Sequence, residues 1–177
     1  MDKAQIRGEL FIKVVRYINK KWGAEGLEKL NIDLGQYKQD VWYGLDEFCD
    51  LIDGLYDVLG VTDSTEPFKI GKWIVTNNPR WMACFRGMDP KDVFTGSEHQ
   101  ELQYVVGEFK GAHSKPNEVS VHSTVWTTDQ RHLDVWCEFY RGRLQGVLDL
   151  TGYQGEVSTI SEMLENEATC TYKITWT

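Results

Sequence analysis

Few side chains in this sequence are spaced for chemistry. Gly142 and Gly146 stand four apart, so on a helix they share one face. Glycine costs about 1 kcal/mol against alanine in a helix interior, so a pair asks for a reason. Close approach supplies one: a strand, a second helix or a ligand can touch the backbone there. The lysine and hydroxyl residue of a phosphate loop are missing. Four histidines, His99, His113, His122 and His132, include no i, i+4 pair of the kind that holds zinc on a helix. His99 could ligate a metal or a heme, but one residue fixes no geometry, and a surface imidazole is the commoner case. His122 and His132 fall on the same alternating face set as Trp126 and Trp136, where they would line a cavity or face solvent. Cys137 and Cys170 raise zinc, because Glu162, Glu165 and Glu167 are close in sequence to Cys170 and two thiolates with a carboxylate can hold the ion. Two buried apolar thiols are the commoner arrangement. No Ser-His-Asp order, nucleophile elbow or Walker motif occurs, so no catalytic residue is assigned.

The elements that must position these groups follow from periodicity. Ile6, Leu10, Val14 and Ile18 form a stripe widened by Phe11, Val15 and Trp22, which predicts a helix from about Ala4 to Trp22. Gly23 and Gly26 punctuate the chain before a short helix over Leu27 to Leu30. Leu45, Phe48, Cys49, Ile52, Leu55, Tyr56 and Leu59 give the clearest helical pattern, stopped at Gly60. Charge is zoned: Asp40 to Glu66 holds eight acids and no base, and Pro67 to Lys91 five bases and one acid. The acidic run reads as a solvated helix face, or the two zones face each other. Short helices broken at Pro79, Gly87 and Pro90 are expected next, then a longer one over Lys91 to Val106. Val119 to Trp126 and Leu133 to Phe139 alternate around a turn at Thr127 to Gln130, which predicts a β-hairpin. A helix over Tyr140 to Thr151 and two further strands, Glu156 to Glu162 and Cys170 to Trp176, complete the order.

Composition bounds the function. The 177 residues are 41% hydrophobic and 26% charged, an ordinary globular mixture. A net charge of -8 argues against nucleic acid and against an anionic membrane surface, both of which need clustered Lys and Arg. The start is polar and no window nears the ~18 apolar residues of a membrane span. A cytosolic location with reduced thiols is therefore expected.

Several short motifs resemble one family. They are Arg7-Gly8-Glu9-Leu10-Phe11 with Trp22-Gly23-Ala24-Glu25-Gly26-Leu27, then Gly71-Lys72-Trp73, then Asp89-Pro90-Lys91-Asp92-Val93-Phe94. The C-terminal part adds Cys137, Tyr140-Arg141-Gly142-Arg143-Leu144-Gln145-Gly146 and Cys170-Thr171-Tyr172-Lys173-Ile174-Thr175-Trp176. Together they resemble the vinyl-reductase-type small-molecule-binding domain. Its superfamily also holds heme–nitric oxide/oxygen sensors and the small subunits of the TRAPP vesicle-tethering complex. The resemblance implies helices packed on a four-stranded antiparallel sheet with a ligand pocket between them. Relatives that sense aromatic effectors hold a structural zinc through a Cys before the Gly-x-x-x-Gly and a later Glu-x-x-Cys...Cys cluster. Cys137, Glu162 and Cys170 match that set, but Glu165 stands where the middle Cys would be. The heme sensors carry Tyr-x-Ser-x-Arg, which this chain lacks.

The resulting expectation is an α+β fold in one domain over 1–177. Residues 1–107 are mainly helical and 108–177 run β-hairpin, helix, β-hairpin, with a four-stranded, mainly antiparallel sheet. Its function is expected to be a cytosolic binding or sensor module with a regulatory role, holding a small, mostly apolar ligand. The alternative is a protein–protein interaction subunit without such a ligand. Tyr104, His122, Trp126, Trp136, Phe139, Gly142 and Gly146 are the expected pocket residues. No cofactor is expected: heme is not supported and the purified protein should be colourless, while zinc on Cys137, Glu162 and Cys170 is the weaker alternative. Expected partners are a small apolar molecule and a separate signalling protein, with a homodimer as an option, and neither nucleic acid nor a membrane span.

Overall fold

A computed structural model describes residues 4–95, 104–163 and 167–177. The chain opens with a short strand, β1 (Gln5–Arg7), and a long helix, α1 (Gly8–Lys29). The two helices expected in this region are one element bent at Gly23, whose φ of 69° only glycine adopts freely. Leu10, Phe11, Val14 and Ile18 of its stripe are wholly buried. Strand β2 (Trp42–Gly44) runs straight into α2 (Leu45–Asp57), whose Leu45, Phe48, Ile52 and Leu55 seal the other side of the same core. Three short helices follow, α3 (Glu66–Thr76), α4 (Pro79–Phe85) and α5 (Pro90–Thr95), broken where the prolines predict. Asn78 caps α4 by accepting from the Arg80 amide.

Glu66 opens α3 with its side chain fully buried against α1. It accepts from the Tyr17 hydroxyl at 2.7 Å and from Lys21 Nζ at 2.5 Å, so the buried carboxylate is paired. The two charge zones meet only near their junction, where Lys69 pairs with Asp63. Lys72 turns instead to Asp149, 2.6 Å away.

Of the predicted helix over Lys91 to Val106, the part up to Thr95 is helical; residues 96–103 lie outside the described residues, and β3 (Tyr104–Val105) is extended. Strand β1 sits between β2 and β3, with Ile6 opposite both Tyr43 and Tyr104. The larger sheet holds β4 (Phe109–Lys115), β5 (Glu118–Val125), β6 (Gly155–Met163) and β7 (Ala168–Trp176), in the order β4-β5-β7-β6 with every pair antiparallel. Its inner face carries Val119, Val121, Val157, Cys170, Tyr172, Ile174 and Trp176; its outer face is mostly Ser, Thr and charged residues.

The α+β class, the four-stranded sheet and the helix between two hairpins are as expected. One partner strand differs. Leu133 to Phe139 is not a strand but part of α6 (Gln130–Thr151), and β5 pairs instead with β4 across a turn at Pro116-Asn117. Two periodicities coexist in that segment. Leu133, Val135, Cys137 and Phe139 alternate, but Leu133, Trp136, Cys137 and Tyr140 also recur at helical spacing. The capping residue decides between them. Asp129 accepts from the amides of Arg131 (2.7 Å) and His132 (3.2 Å), which starts a helix there. Gly152, at φ 88°, ends it.

Helix α6 lies between the sheet and α3. At the α3–α6 crossing the backbones touch through glycine. A Cβ on Gly71 would overlap the Phe139 carbonyl oxygen, and one on Gly142 would overlap that of Phe68. A Cβ on Gly146 would meet Val75 Cβ at 2.9 Å and the Lys72 oxygen at 3.1 Å. The close approach read from Gly142 and Gly146 is thus to a helix. Gly142→Ala should lower the unfolding free energy by about 1–3 kcal/mol, the usual cost of overpacking, despite gaining about 1 kcal/mol in helix propensity. Gly146→Ala, facing a side chain as well as backbone, should cost less. Urea unfolding followed by circular dichroism measures both, and a raised midpoint for Gly142→Ala would contradict the crossing.

Candidate functional site

The expected pocket residues whose side chains are described lie on several faces of the fold. Trp136 and Phe139 point from α6 into the core, where Phe48 of α2 meets them edge-on with ring centroids 6.1 and 5.0 Å away. Tyr140 stacks on Trp136 at 6.0 Å and meets Tyr172 of β7 at 5.2 Å. Toward the N-terminal elements, Phe11 continues the series from Phe48 to Tyr37 and Tyr43. These rings form one packed seam from β2 through α1, α2 and α6 to β7. Gly142 and Gly146 are on the face of α6 that meets α3. His122 is on the outer face of the sheet, its Nδ1 3.1 Å from Thr171 Oγ1. Trp126 follows β5 and is 37% exposed, its amide donating to Val106 at 2.7 Å. Tyr104 is placed by its backbone pairing with Ile6. One groove among the described residues, about 350 Å³ in volume, is elsewhere: it is open and of mixed polarity, lined by residues that include Asp89, Lys91, Asn117 and Trp176.

Cys137 and Cys170 are joined in a disulfide between α6 and β7, with Cα atoms 6.0 Å apart. This corrects the expectation of reduced thiols for that pair. Sequence separation of 33 gave no hint of it; the helical register of α6 turns Cys137 toward the inner face of β7, where Cys170 lies. The zinc set of Cys137, Glu162 and Cys170 is not assembled. The disulfide takes both sulfurs, and Glu162, opposite Thr169, lies on the other face of the sheet from Cys170.

A constellation not singled out by sequence forms where α2 meets the start of α6. His132 Nδ1 is 3.1 Å from Asp46 and its Nε2 3.1 Å from Asp50. Arg131 reaches Asp53 at 2.7 Å and Asp57 at 3.2 Å. Asp50, Asp53 and His132 bring donor atoms within 4.8 Å of one another. The cations of this cluster are its own, so it is a closed ion-pair network rather than an open donor set. Burial pushes the Cys49 thiol beneath it well above its ordinary value, and the charges of Asp53, Asp46, Asp50 and Asp129 add to the effect. The regular acidic spacing on α2 was visible in the sequence; its partners, 74 or more residues away, were not.

No family model matches the sequence. No curated protein sequence matches it either. Solved structures do match, along nearly the whole chain. An unliganded Fe(II) H-NOX protein from K. algicida superposes with a TM-score of 0.70 at 15% identity, covering 97% of both chains. A structure from a study of heme distortion in the H-NOX family gives 0.72 at 10% identity, covering 97% of this chain and 95% of the other. An oxygen-binding H-NOX domain related to soluble guanylate cyclases, in its oxygen complex, gives 0.66 at 9% identity over 97% and 95%. The chain therefore shares the fold of these H-NOX domains.

The expectation that heme is unsupported is corrected by these neighbours, whose descriptions name heme and its iron. It rested on one missing motif and a lone histidine. At 10–15% identity a fold outlasts most of its short motifs, so the missing Tyr-x-Ser-x-Arg carries little weight. A heme iron needs an axial donor such as an imidazole. His122 is on the outer face of the sheet and both ring nitrogens of His132 are engaged with aspartates, so neither is placed for that role. His99 falls in the 96–103 stretch, outside the described residues.

The disulfide yields a direct test. In native protein without reductant, a thiol reagent should label Cys84 alone, since Cys49 is buried. Denaturation should expose Cys49, and reduction should add Cys137 and Cys170. The double change of Cys137 and Cys170 to serine should cost about 3–4 kcal/mol, the loop-closure value for a loop of this length. Labelling of Cys137 or Cys170 in denatured, unreduced protein would contradict the bond.

Proposed function

We propose that this chain is a sensor module that takes a small, mostly apolar molecule, a diatomic gas foremost, at a heme ligated by His99. It would act in a regulatory role toward a separate signalling protein. The observation that carries the reading is fold likeness over 97% of the chain to domains described by heme, Fe(II) and bound oxygen. The order of the elements on either side of His99 supports it. The stretch carrying His99 links α5 to β3, and β3 pairs with β1 beside Ile6, a fully buried core residue. The chain thus returns to the core within five residues of this histidine. Bound heme supplies an iron coordination position for a small gas, tuned by the polarity and donors around it. The chain's own contribution would be the imidazole of His99. Without Tyr-x-Ser-x-Arg, other donors must meet the carboxylates of the macrocycle.

Reconstitution with hemin tests this reading. A Soret band should survive gel filtration at one heme per chain, disappear in His99→Ala and return when imidazole is added. Protein that stays colourless after loading would overturn the proposal, and a His99→Ala variant that keeps its band would remove His99 from it.

A further inference from the structure

The first turn of α6 carries its charges the wrong way round. The positive end of a helix dipole disfavours cations, yet Arg131 and His132 both follow the Asp129 cap. The acids of α2 account for them. Asp46, Asp50, Asp53 and Asp57 are spaced by four, three and four residues, which puts all of them on one helical face. That face is turned toward α6. Arg131 takes the C-terminal pair, Asp53 and Asp57, and His132 the N-terminal pair, Asp46 and Asp50.

The two cations differ in kind. A guanidinium stays charged at any physiological pH. An imidazole between two carboxylates does so only while both nitrogens carry protons. Each ring nitrogen of His132 lies 3.1 Å from a carboxylate oxygen, and a carboxylate only accepts. Loss of one proton would set a ring lone pair against an aspartate oxygen. The His132 side chain is 14% exposed, whereas those of Asp46 and Asp50 are 77% and 71% exposed, so the acids can swing to water while the ring cannot.

We propose that His132 is a proton-operated latch between α2 and α6. When charged, it holds the N-terminal half of the acidic face of α2 on the first turn of α6. When neutral, it keeps one N–H, so it must release one of Asp46 and Asp50 and holds the other without its charge, which leaves Arg131 as the remaining charged clasp. Among the described residues, the charged and titratable groups facing the ring are Asp46, Asp50, Asp53 and Cys49 from α2, with Asp129 and Arg131 from α6. Burial of the ring pulls its pKa down. The hydrogen bond to Asp50, the charge of Asp129 and the hydrogen bond to Asp46 outweigh this and leave it raised above 6.5. A raised folded pKa fixes the sign. The latch contributes fully below the ordinary value and is lost as pH rises through the raised one. The latch needs no cofactor.

Two measurements test it. The ring protons of His132, assigned by their loss in His132→Gln, should titrate above 6.5 in the wild-type protein. In Asp46→Asn/Asp50→Asn the midpoint should fall, because burial then dominates. Melting temperatures from about pH 5 to about pH 9, the range in which histidine titrates, should show wild type losing its advantage over His132→Gln as pH rises. A His132 midpoint at or below the ordinary value, or an advantage that does not change with pH, would overturn the latch. Should His132→Gln fail to fold, the titration in Asp50→Asn alone still decides: an unchanged midpoint overturns the proposal and a lowered one supports it.

Discussion

The arrangement depends on one close contact, the crossing of α3 and α6 at Gly71, Gly142 and Gly146. With no Cβ between them, the two backbones approach until Cα hydrogens meet carbonyl oxygens, which are weak but favourable partners. That distance sets where the rest can go. Glu66, at the start of α3, reaches Tyr17 and Lys21 of α1, and Lys72 reaches Asp149 near the end of α6. Larger residues at the glycines would lift α3 away and leave the Glu66 carboxylate buried without its partners, which is costlier than never having buried it.

Helix α6 is the element to which most others are tied, and each tie is of a different kind. Its face toward α3 is bare backbone. Its face toward the core is aromatic, with Trp136, Phe139 and Tyr140 seated against Phe48 and Tyr172. A covalent bond joins it to β7 through Cys137 and Cys170. Gln145 joins it to β6, accepting from the Val157 amide at 2.9 Å and donating to the Gly155 oxygen at 3.2 Å. Arg141 adds a bond to the Val157 oxygen at 3.3 Å. Charges hold its two ends, Arg131 and His132 to the acids of α2 and Asp149 to Lys72 of α3, and of these the imidazole is the one that loses its charge near neutral pH.

Much of this was legible in the residues. The stripes of α1 and α2, the breaks at Pro79 and Pro90, the alternation of β7 and the tight face at Gly142 and Gly146 are local patterns with local causes. The segment Leu133 to Phe139 misled because its apolar residues satisfy period two as well as period 3.6, and the Asp129 cap decides between them. Contacts between distant parts were not legible. Nothing near Asp50 announces His132, nothing near Cys137 announces Cys170, and Gly146 does not say that Val75 is its neighbour. Heme was misjudged for a related reason: a short motif was weighed as though it were the fold. The candidate ligand residues were chosen by type, and type does not distinguish Trp136, packed among rings, from Trp126 at the surface.

The bonds from Gln145 and Arg141 reach beyond the helix that makes them. Strand β6 is at the end of its sheet, and Gly155 and Val157 turn their peptide groups away from β7, where another strand would dock. Side chains of α6 already occupy those groups. A sheet edge plugged in this way cannot recruit an added strand along that half of β6, from a neighbouring molecule or from a misfolded copy. Strand addition on this side is therefore barred by a glutamine and an arginine on a helix.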